Sequence, residues 1–159
     1  MFMRNFLCLF FCFCFVSPVF AIDYNVKNDT QSFLFVNGTS GNVGISSTVP
    51  RARLEVNNTA VFTSLVANTC NGSATVNWNT GNKQVLTLNG NCTSLTFTNP
   101  LGVGNLTLKI INTGSYTITW PTIKWPGAYA PTLTSSGTDI VAFFFDGTDY
   151  YGSAGFDFR

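Results

Sequence analysis

The C-terminal half of the chain alternates between apolar and polar residues in short runs, and Asn, Gly and Pro residues separate one run from the next. Alternation with a period of two residues is typical of β-strands that bury one face. In the clearest run, Leu106, Leu108 and Ile110 lie on one face, while Thr107 and Lys109 lie on the other. No run of useful length has the period of a helix. The pattern therefore predicts a domain built from β-strands.

Residues 140–145 differ from these runs because every position is apolar. Such a strand is expected in the centre of a sheet, covered on both faces. With the alternating runs it gives about seven strands separated by turns, which is the pattern of a β-sandwich. We therefore predict an antiparallel β-sandwich or jelly-roll-like domain over residues 67–159. The expected strands are 74–79, 84–88, 95–97, 106–110, 116–120, 140–145 and 150–151.

Residues 22–66 contain shorter and more widely spaced apolar runs. Short strands are predicted at 32–36, 43–45 and 54–56, with an Asn-Gly turn at residues 37–38 and a break at Pro50 between them. Strands of this length bury little surface by themselves. We therefore expect an extended, shaft-like β connector that obtains its core from neighbouring chains or from the C-terminal domain.

Residues 1–21 have the three-part pattern of a secretory signal peptide with a helical apolar segment. Arg4 precedes the apolar run from Phe6 to Val16, and cleavage is expected between Ala21 and Ile22. The alternative is a membrane anchor, but the run is shorter than the roughly 20 apolar residues that a span needs. We therefore expect a secreted or cell-surface protein with no stable membrane insertion after cleavage.

Two cysteines, Cys70 and Cys92, remain once the leader is removed. An even number of cysteines in an exported chain indicates a disulfide. If residues 80–82 form the turn of a hairpin, Cys70 and Cys92 lie opposite each other on its two strands, although a second turn at 89–91 would interrupt that ladder. We expect a Cys70–Cys92 disulfide. The alternative is two half-buried free thiols.

The chain contains few charged residues, and its net charge is close to zero. Charged residues make up 9% of the chain and hydrophobic residues 45%, and the formal net charge is +1, including Arg4 of the leader. A neutral chain without a basic cluster has no electrostatic footprint for nucleic acid. Near-zero net charge also favours self-association over a freely soluble monomer.

The chain is poor in catalytic and metal-binding side chains, with no His and only one Glu, Glu55. Asp is therefore almost the only carboxylate available for acid–base catalysis. Asp146 and Asp149 stand at a predicted turn, and Asp139 precedes a strand, so neither glycoside hydrolysis nor Ca²⁺ binding is favoured. We expect no enzyme activity, no metal site and no cofactor.

An aromatic-rich segment near the C-terminus is the best candidate for a binding site. Flat rings suit the C–H-rich faces of sugars, and Pro121 and Pro126 would hold the intervening loop in a fixed, extended shape. The expected ligand is a cell-surface glycan. The alternative is that these rings fill the ends of the sandwich. The candidate binding residues are Trp120, Trp125, Tyr129, Tyr150 and Tyr151.

The stretch GNVGISSTVPRARLEV, residues 41–56, resembles an element of bacteriophage tail fibres and tailspikes. In those proteins the element often leads towards a C-terminal chaperone that begins Ser-Asp-x-Arg-Leu-Lys. This chain has no such start, so the resemblance does not imply self-cleaving maturation. The matching residues are Gly41, Asn42, Val43, Gly44, Ile45, Pro50, Leu54 and Val56.

The C-terminal half is similar to a module of many phage and prophage virion proteins. The matching elements are Asn77–Asn82, Leu86–Asn91, Leu95–Pro100, Thr119–Thr134 and Tyr151–Phe158. The resemblance implies a structural role at a particle surface, with a homotrimer as the expected assembly. A signal peptide is unusual among virion proteins, which also admits a cellular protein that carries the same module.

Taken together, the residues and the resemblance predict an exported, non-catalytic structural or adhesion module. The expected location is extracellular or at a cell surface, with a virion as the alternative. The second interpretation is a lectin-like carbohydrate-binding module that uses the loop 120–129. A polysaccharide-degrading enzyme is a distant third.

Overall fold

The computed structural model describes residues 24–27, 32–60 and 65–159. The predicted signal peptide and its cleavage position lie outside the described residues. The described chain is all-β apart from one short 3-10 helix, as the sequence predicts, and none of its helical structure is long and apolar enough to cross a membrane. The chain divides into two compact units between Val61 and Phe62.

The N-terminal unit contains one four-stranded sheet. Its strands are β1 (Tyr24–Lys27), β2 (Ser32–Val36), β3 (Val43–Ile45) and β4 (Leu54–Val56). They are ordered β1-β2-β3-β4, with two antiparallel pairs followed by the parallel pair β3–β4. The short strands predicted within this unit are confirmed.

Side chains within and beside the loop between β3 and β4 hold that loop in place. Asn42 Nδ2 donates a hydrogen bond to the carbonyl oxygen of Pro50 over 3.0 Å. The Glu55 carboxylate accepts hydrogen bonds from the backbone and guanidinium of Arg51 and from the Ser47 hydroxyl. The bonds from Arg51 lower the pKa of Glu55. Residues 41–56 therefore form a parallel strand pair with a fixed connecting loop.

The C-terminal unit contains five paired strands in the order β5-β6-β7-β8-β9. They are β5 (Val66–Asn77), β6 (Lys83–Thr98), β7 (Gly104–Asn112), β8 (Thr138–Phe145) and β9 (Tyr150–Gly155), and the 3-10 helix is Pro126–Ala128. The strand predicted at 116–120 is present only as an isolated bridge between Ile118 and Cys92.

The pairing directions differ from the prediction in part of this unit. Strands β7, β8 and β9 pair antiparallel, as expected, whereas β5–β6 and β6–β7 are parallel. Antiparallel pairing is therefore wrong for the pairs β5–β6 and β6–β7. A jelly roll is built from antiparallel strands, so this part of the domain does not have that arrangement.

Strand β5 bends back on itself at Gly72, and this bend allows the parallel pairing. Only residues 78–82 connect β5 to β6, too few to return along a straight strand of 12 residues at about 3.3 Å per residue. The two ends of β5 therefore meet: Val66 pairs with Gln84, and Gln84 Nε2 donates to the carbonyl oxygen of Asn77 over 2.7 Å. The register shifts on both sides of Gly72, whose φ is 89°.

Strand β6 bends in the same way, so consecutive turns of the chain stack on one another. We call each turn a rung and each of its two strand segments a limb. We call the layer of first limbs arm A and the layer of second limbs arm B. Cys92 exchanges backbone hydrogen bonds with Thr117 and Thr119, which adds a third limb to arm B. Arm A comprises 66–70, 83–88, β7, β8 and β9, and arm B comprises 73–77, 92–98 and 116–120.

The hydrophobic core lies between arm A and arm B, which together form a two-layer, sandwich-like β-fold. Inward-facing apolar residues alternate with outward-facing polar ones along most limbs, as the sequence pattern predicts. The buried core residues are Cys70, Val76, Trp78, Leu86, Leu88, Cys92, Leu95, Leu106, Leu108, Ile110, Val141, Phe143, Phe145 and Tyr150.

The Cys70–Cys92 disulfide is confirmed, but the hairpin register from which it was predicted is wrong. In the parallel register Cys70 pairs with Leu88 and Cys92 pairs with Gly72. The bond therefore joins the last residue of the arm A limb in the first rung to the first residue of the arm B limb in the second rung. Both cysteines are 1% exposed, so the disulfide clamps the corner at which the strands bend.

Strand β8 lies between β7 and β9, as expected, but only one of its faces is covered. Phe143 and Phe145 are buried in the core, whereas Ala142 is exposed and Phe144 is 45% exposed. The prediction of two covered faces is wrong because no second layer covers the outside of arm A among the described residues. On that outer face the ring of Phe144 lies 6.3 Å from the ring of Tyr151.

Candidate functional site

Trp120 and Trp125 are the two candidate binding residues that the structure brings together. Their ring centroids are 5.2 Å apart in an edge-to-face arrangement, and they lie 6.4 and 6.1 Å from the ring of Phe143 in the core. The Trp125 ring also packs over Gly152 so closely that no Cβ would fit there. The two half-buried rings therefore close the open side of the core, which is the structural alternative predicted for them.

The three candidate tyrosines lie at three different places. Tyr150 is 7% exposed, its hydroxyl donates to Asn99 Oδ1 over 2.9 Å, and burial raises its pKa to about 12. Tyr151 points to the opposite face of β9 because successive strand residues alternate. Tyr129 follows the 3-10 helix and is 84% exposed. The five candidates therefore do not form a single platform.

Tyr151 belongs to a small cluster on the outer face of arm A. Besides the ring of Phe144, it contacts Lys124, whose Nζ lies 5.2 Å from the Tyr151 ring centroid. Lys124 also forms an ion pair with Asp149 over 2.6 Å, and this bond raises the pKa of Lys124. The ring and the two charges are therefore engaged with one another.

A groove with a volume of about 350 Å³ lies beside Trp120. One wall is the segment 115–120, which includes the last limb of arm B, and the other wall is the segment 130–135. Tyr116 and Trp120 supply aromatic surface, and no charged residue lines the groove. Hydroxyl groups stand on both walls, on Ser115, Thr117, Thr132 and Ser135.

The buried side chain of Asn112 fixes the first wall of the groove. Its Nδ2 donates to the carbonyl oxygen of Tyr116 over 2.9 Å, and its Oδ1 accepts from the backbone N–H groups of Tyr116 and Gly114. A Cβ on Gly114 would come within 3.0 Å of the Tyr116 ring. The turn and the aromatic side chain are therefore packed as one unit.

The buried carboxylate of Asp139 fixes the second wall. Its Oδ2 accepts a hydrogen bond from the backbone N–H of Thr134 over 2.7 Å, and its Oδ1 accepts one from the N–H of Asp157 over 2.9 Å. The N–H of Ser136 donates to the carbonyl oxygen of Gly114 over 2.7 Å, which ties the two walls together at one end. Both walls are thus held by buried polar groups rather than by a ligand.

The acidic residues that the structure describes form no metal-binding group. Nowhere in the described ranges do three or more His, Cys, Asp or Glu side chains lie together as metal ligands would. Asp146 accepts hydrogen bonds from the N–H groups of Thr148 and Asp149 within one turn, which lower its pKa. This is the turn role that the sequence predicts for Asp146.

Sequence reasoning missed both Tyr116 as a site residue and the wall 130–135. Tyr116 has the pattern of an ordinary inward-facing strand residue, so nothing local distinguishes it. The available signal is the irregular segment between residues 120 and 138, because a loop of that length inside a compact domain is uncommon and often functional.

Comparisons of this chain with protein-family models, with curated proteins and with solved structures found no match.

Proposed function

We propose that this protein is an exported, non-catalytic structural or adhesion module that self-associates, in the manner of the tail-fibre proteins that its sequence resembles. The expected assembly is a homotrimer outside the cell or at its surface, with a virion as the alternative location. The observation that carries this proposal is the N-terminal sheet, in which most of the large apolar side chains that the structure describes are exposed or half-buried.

The exposure of apolar side chains in the N-terminal unit supports association. Among the side chains described there, Phe35 is the one large hydrophobic residue that is buried. Val49 is 76% exposed, Leu54 63% and Ile45 37%. A small sheet with an exposed apolar surface has marginal stability in water by itself. Packing of several copies against one another would bury these side chains.

The outer edge of β5 is a second feature that favours association. Within the described residues β5 has a strand partner on one side only. Charged side chains and prolines are two of the features by which proteins keep edge strands from pairing with other chains. Residues 65–82 contain neither. An uncharged edge of 12 residues is suited to pairing with a strand of another chain.

The carboxylates of the C-terminal unit support the non-catalytic part of the proposal because each has a structural partner. Asp139 holds two backbone N–H groups, and Asp146 closes a turn. Asp149 and Asp157 form ion pairs with a lysine and an arginine. None of these four is paired with a second carboxylate, as an acid–base pair for glycoside hydrolysis would require.

A lectin-like module that acts as a monomer is the second candidate function. It is favoured by the uncharged groove between 115–120 and 130–135, which combines aromatic and hydroxyl groups. The two candidates differ in the oligomeric state that they require.

Light scattering and intact mass of the exported protein test the proposal. We expect a trimer whose chains begin at Ile22. Leu54→Asp should dissociate it, since a charge at this position cannot be buried between chains without a partner. Leu101→Asp is the matched control because Leu101 is 99% exposed in a loop of the C-terminal unit.

Each outcome of this experiment decides a specific point. A trimer that Leu54→Asp dissociates and Leu101→Asp leaves intact supports self-association through the N-terminal sheet. A monomeric unmodified protein overturns self-association and leaves the lectin-like candidate. A chain that retains residues 1–21 overturns export by a cleaved signal peptide.

A further inference from the structure

The groove exists because the two arms contain different numbers of limbs. Arm A continues through β8 and β9, whereas arm B ends with 116–120. The inward-facing side chains Tyr116, Ile118 and Trp120 pack against the core but are only half-buried. The sides of these three residues that face the groove are therefore exposed to solvent where a fourth limb of arm B would lie.

The segment 130–135 runs beside this opening without closing it. The described backbone hydrogen bonds include none between 115–120 and 130–135. The nearest link is the bond from Ser136 to Gly114 at one end of the groove. Since Asn112 and Asp139 hold the two walls through buried hydrogen bonds, the gap is part of the folded structure.

The side chains in the gap have the chemistry of a sugar site. Sugar rings present C–H faces that pack on aromatic rings, and hydroxyl groups at their edges that exchange hydrogen bonds with polar side chains. Tyr116 and Trp120 supply the rings, and the hydroxyls of Ser115, Thr132 and Ser135 supply the polar groups. The Thr117 hydroxyl already donates to Asn91 Oδ1 over 3.3 Å. The volume of about 350 Å³ lies within the usual range for small-ligand sites.

We propose that this groove binds a neutral carbohydrate, with Tyr116 and Trp120 stacking on the sugar and the wall hydroxyls fixing its orientation. The inference rests on the adhesion role proposed above and names the ligand class for it. A neutral ligand follows from the lining, which contains no Lys, Arg, Asp or Glu. A sialylated, sulfated or phosphorylated ligand would find no cation there to offset its charge.

The test is titration of the mature protein, followed by NMR or calorimetry, with a panel of neutral oligosaccharides of glucose, galactose, mannose and N-acetylglucosamine and a matched acidic panel. Thr132→Trp fills the groove from its exposed wall and should weaken binding roughly tenfold or more. Leu101→Trp, which adds the same ring at an exposed position outside the lining, and Tyr129→Ala, which also lies outside the lining, are the controls. Binding should be nearly independent of salt because no ion pair forms.

The outcomes test the groove and the proposed self-association independently of each other. Saturable binding of at least one neutral oligosaccharide, lost in Thr132→Trp and kept in both controls, supports the proposal. No binding across the neutral panel, binding confined to acidic sugars, or equal binding by Thr132→Trp overturns it. A trimer that binds no sugar overturns the groove assignment alone, and a monomer that binds sugar overturns self-association alone. Circular dichroism and the intact disulfide verify folding of each variant.

Discussion

The two layers of the C-terminal unit are built from the same stretches of chain but end differently. Arm A is a continuous sheet of five limbs, in which each inner limb has hydrogen-bonded neighbours on both sides. Arm B has three limbs, and Trp120 at the end of its third limb, together with Trp125 in the loop that follows, covers part of the remaining core. One layer is completed by backbone pairing, and the other is completed by side chains.

This difference shows where binding surface arises in a stacked β-fold. A strand that continues a sheet satisfies its backbone groups and covers apolar side chains at the same time. A loop covers side chains without forming a regular ladder, so it leaves gaps. The groove beside Tyr116 lies on arm B for this reason, whereas the outer face of arm A carries the Phe144–Tyr151 ring pair.

Removal of the disulfide should have the largest effect, because the Cys70–Cys92 bond joins an arm A limb to an arm B limb of the next rung. Replacement of both cysteines by Ser should lower the free energy of unfolding by about 3 kcal/mol, the value typical of a closed loop of this size. Urea unfolding, with and without a reductant, measures this loss.

The reductant provides the control for that experiment. It should destabilise the unmodified protein to a similar extent and leave the double Ser variant unchanged. If the unmodified protein unfolds at the same urea concentration in both conditions, the clamp between the two arms contributes no stability.

Gly152→Ala tests how the tryptophan loop covers the core. The new Cβ would overlap the ring of Trp125, so the loop must shift away from β9. Overpacking of this kind typically costs about 1–3 kcal/mol. Gly102→Ala is the matched control because a Cβ there meets no atom within 4 Å. Equal thermal midpoints for the two variants would show that Trp125 does not pack on β9.

The smallest effect is expected at alkaline pH, from Tyr150. Burial raises its pKa to about 12 from an ordinary value near 10, so the folded state keeps the phenol proton more tightly than the unfolded state does. Its contribution to stability is fully present below pH ~10 and is lost as the pH rises towards ~12.

Urea midpoints measured on either side of this pH window check the effect. Tyr150→Phe should remove this part of the alkaline loss, and at neutral pH it should lose the hydrogen bond to Asn99, worth about 1 kcal/mol. Tyr129→Phe, at an exposed position, should leave the pH profile unchanged. An unaltered alkaline loss in Tyr150→Phe would contradict the assignment.

The strands themselves were predictable from the sequence because alternation is a local property. The runs around Leu106 and Val76 specify which side chains face inward, whatever partner each strand has. The parallel direction of β5 and β6 was not predictable in this way. Residues 78–82 have the Asn, Thr and Gly composition of a turn, which serves equally for a hairpin and for the corner of a stacked coil.

The candidate site was predicted only in part, for a related reason. The sequence identifies the aromatic loop, and the structure places Trp120 at the groove. Tyr150 and Tyr151 are adjacent in sequence but point into and away from the core, and Phe144 rather than another tyrosine stands beside Tyr151. The opposing wall 130–135 depends on the long-range bonds of Asp139, which no local pattern reveals.

The in-register stacking of bent strands also bears on how the length of such a protein changes. Val66 pairs with Gln84 and Lys83 pairs with Thr107, so successive rungs take 18 and 24 residues. In stacked architectures each repeat contacts only its neighbours. Duplication of one rung would therefore lengthen the molecule by a single strand spacing of about 4.8 Å and leave both ends unchanged. The stack can therefore lengthen or shorten by whole rungs, without any change to the end of the core that the tryptophans cover.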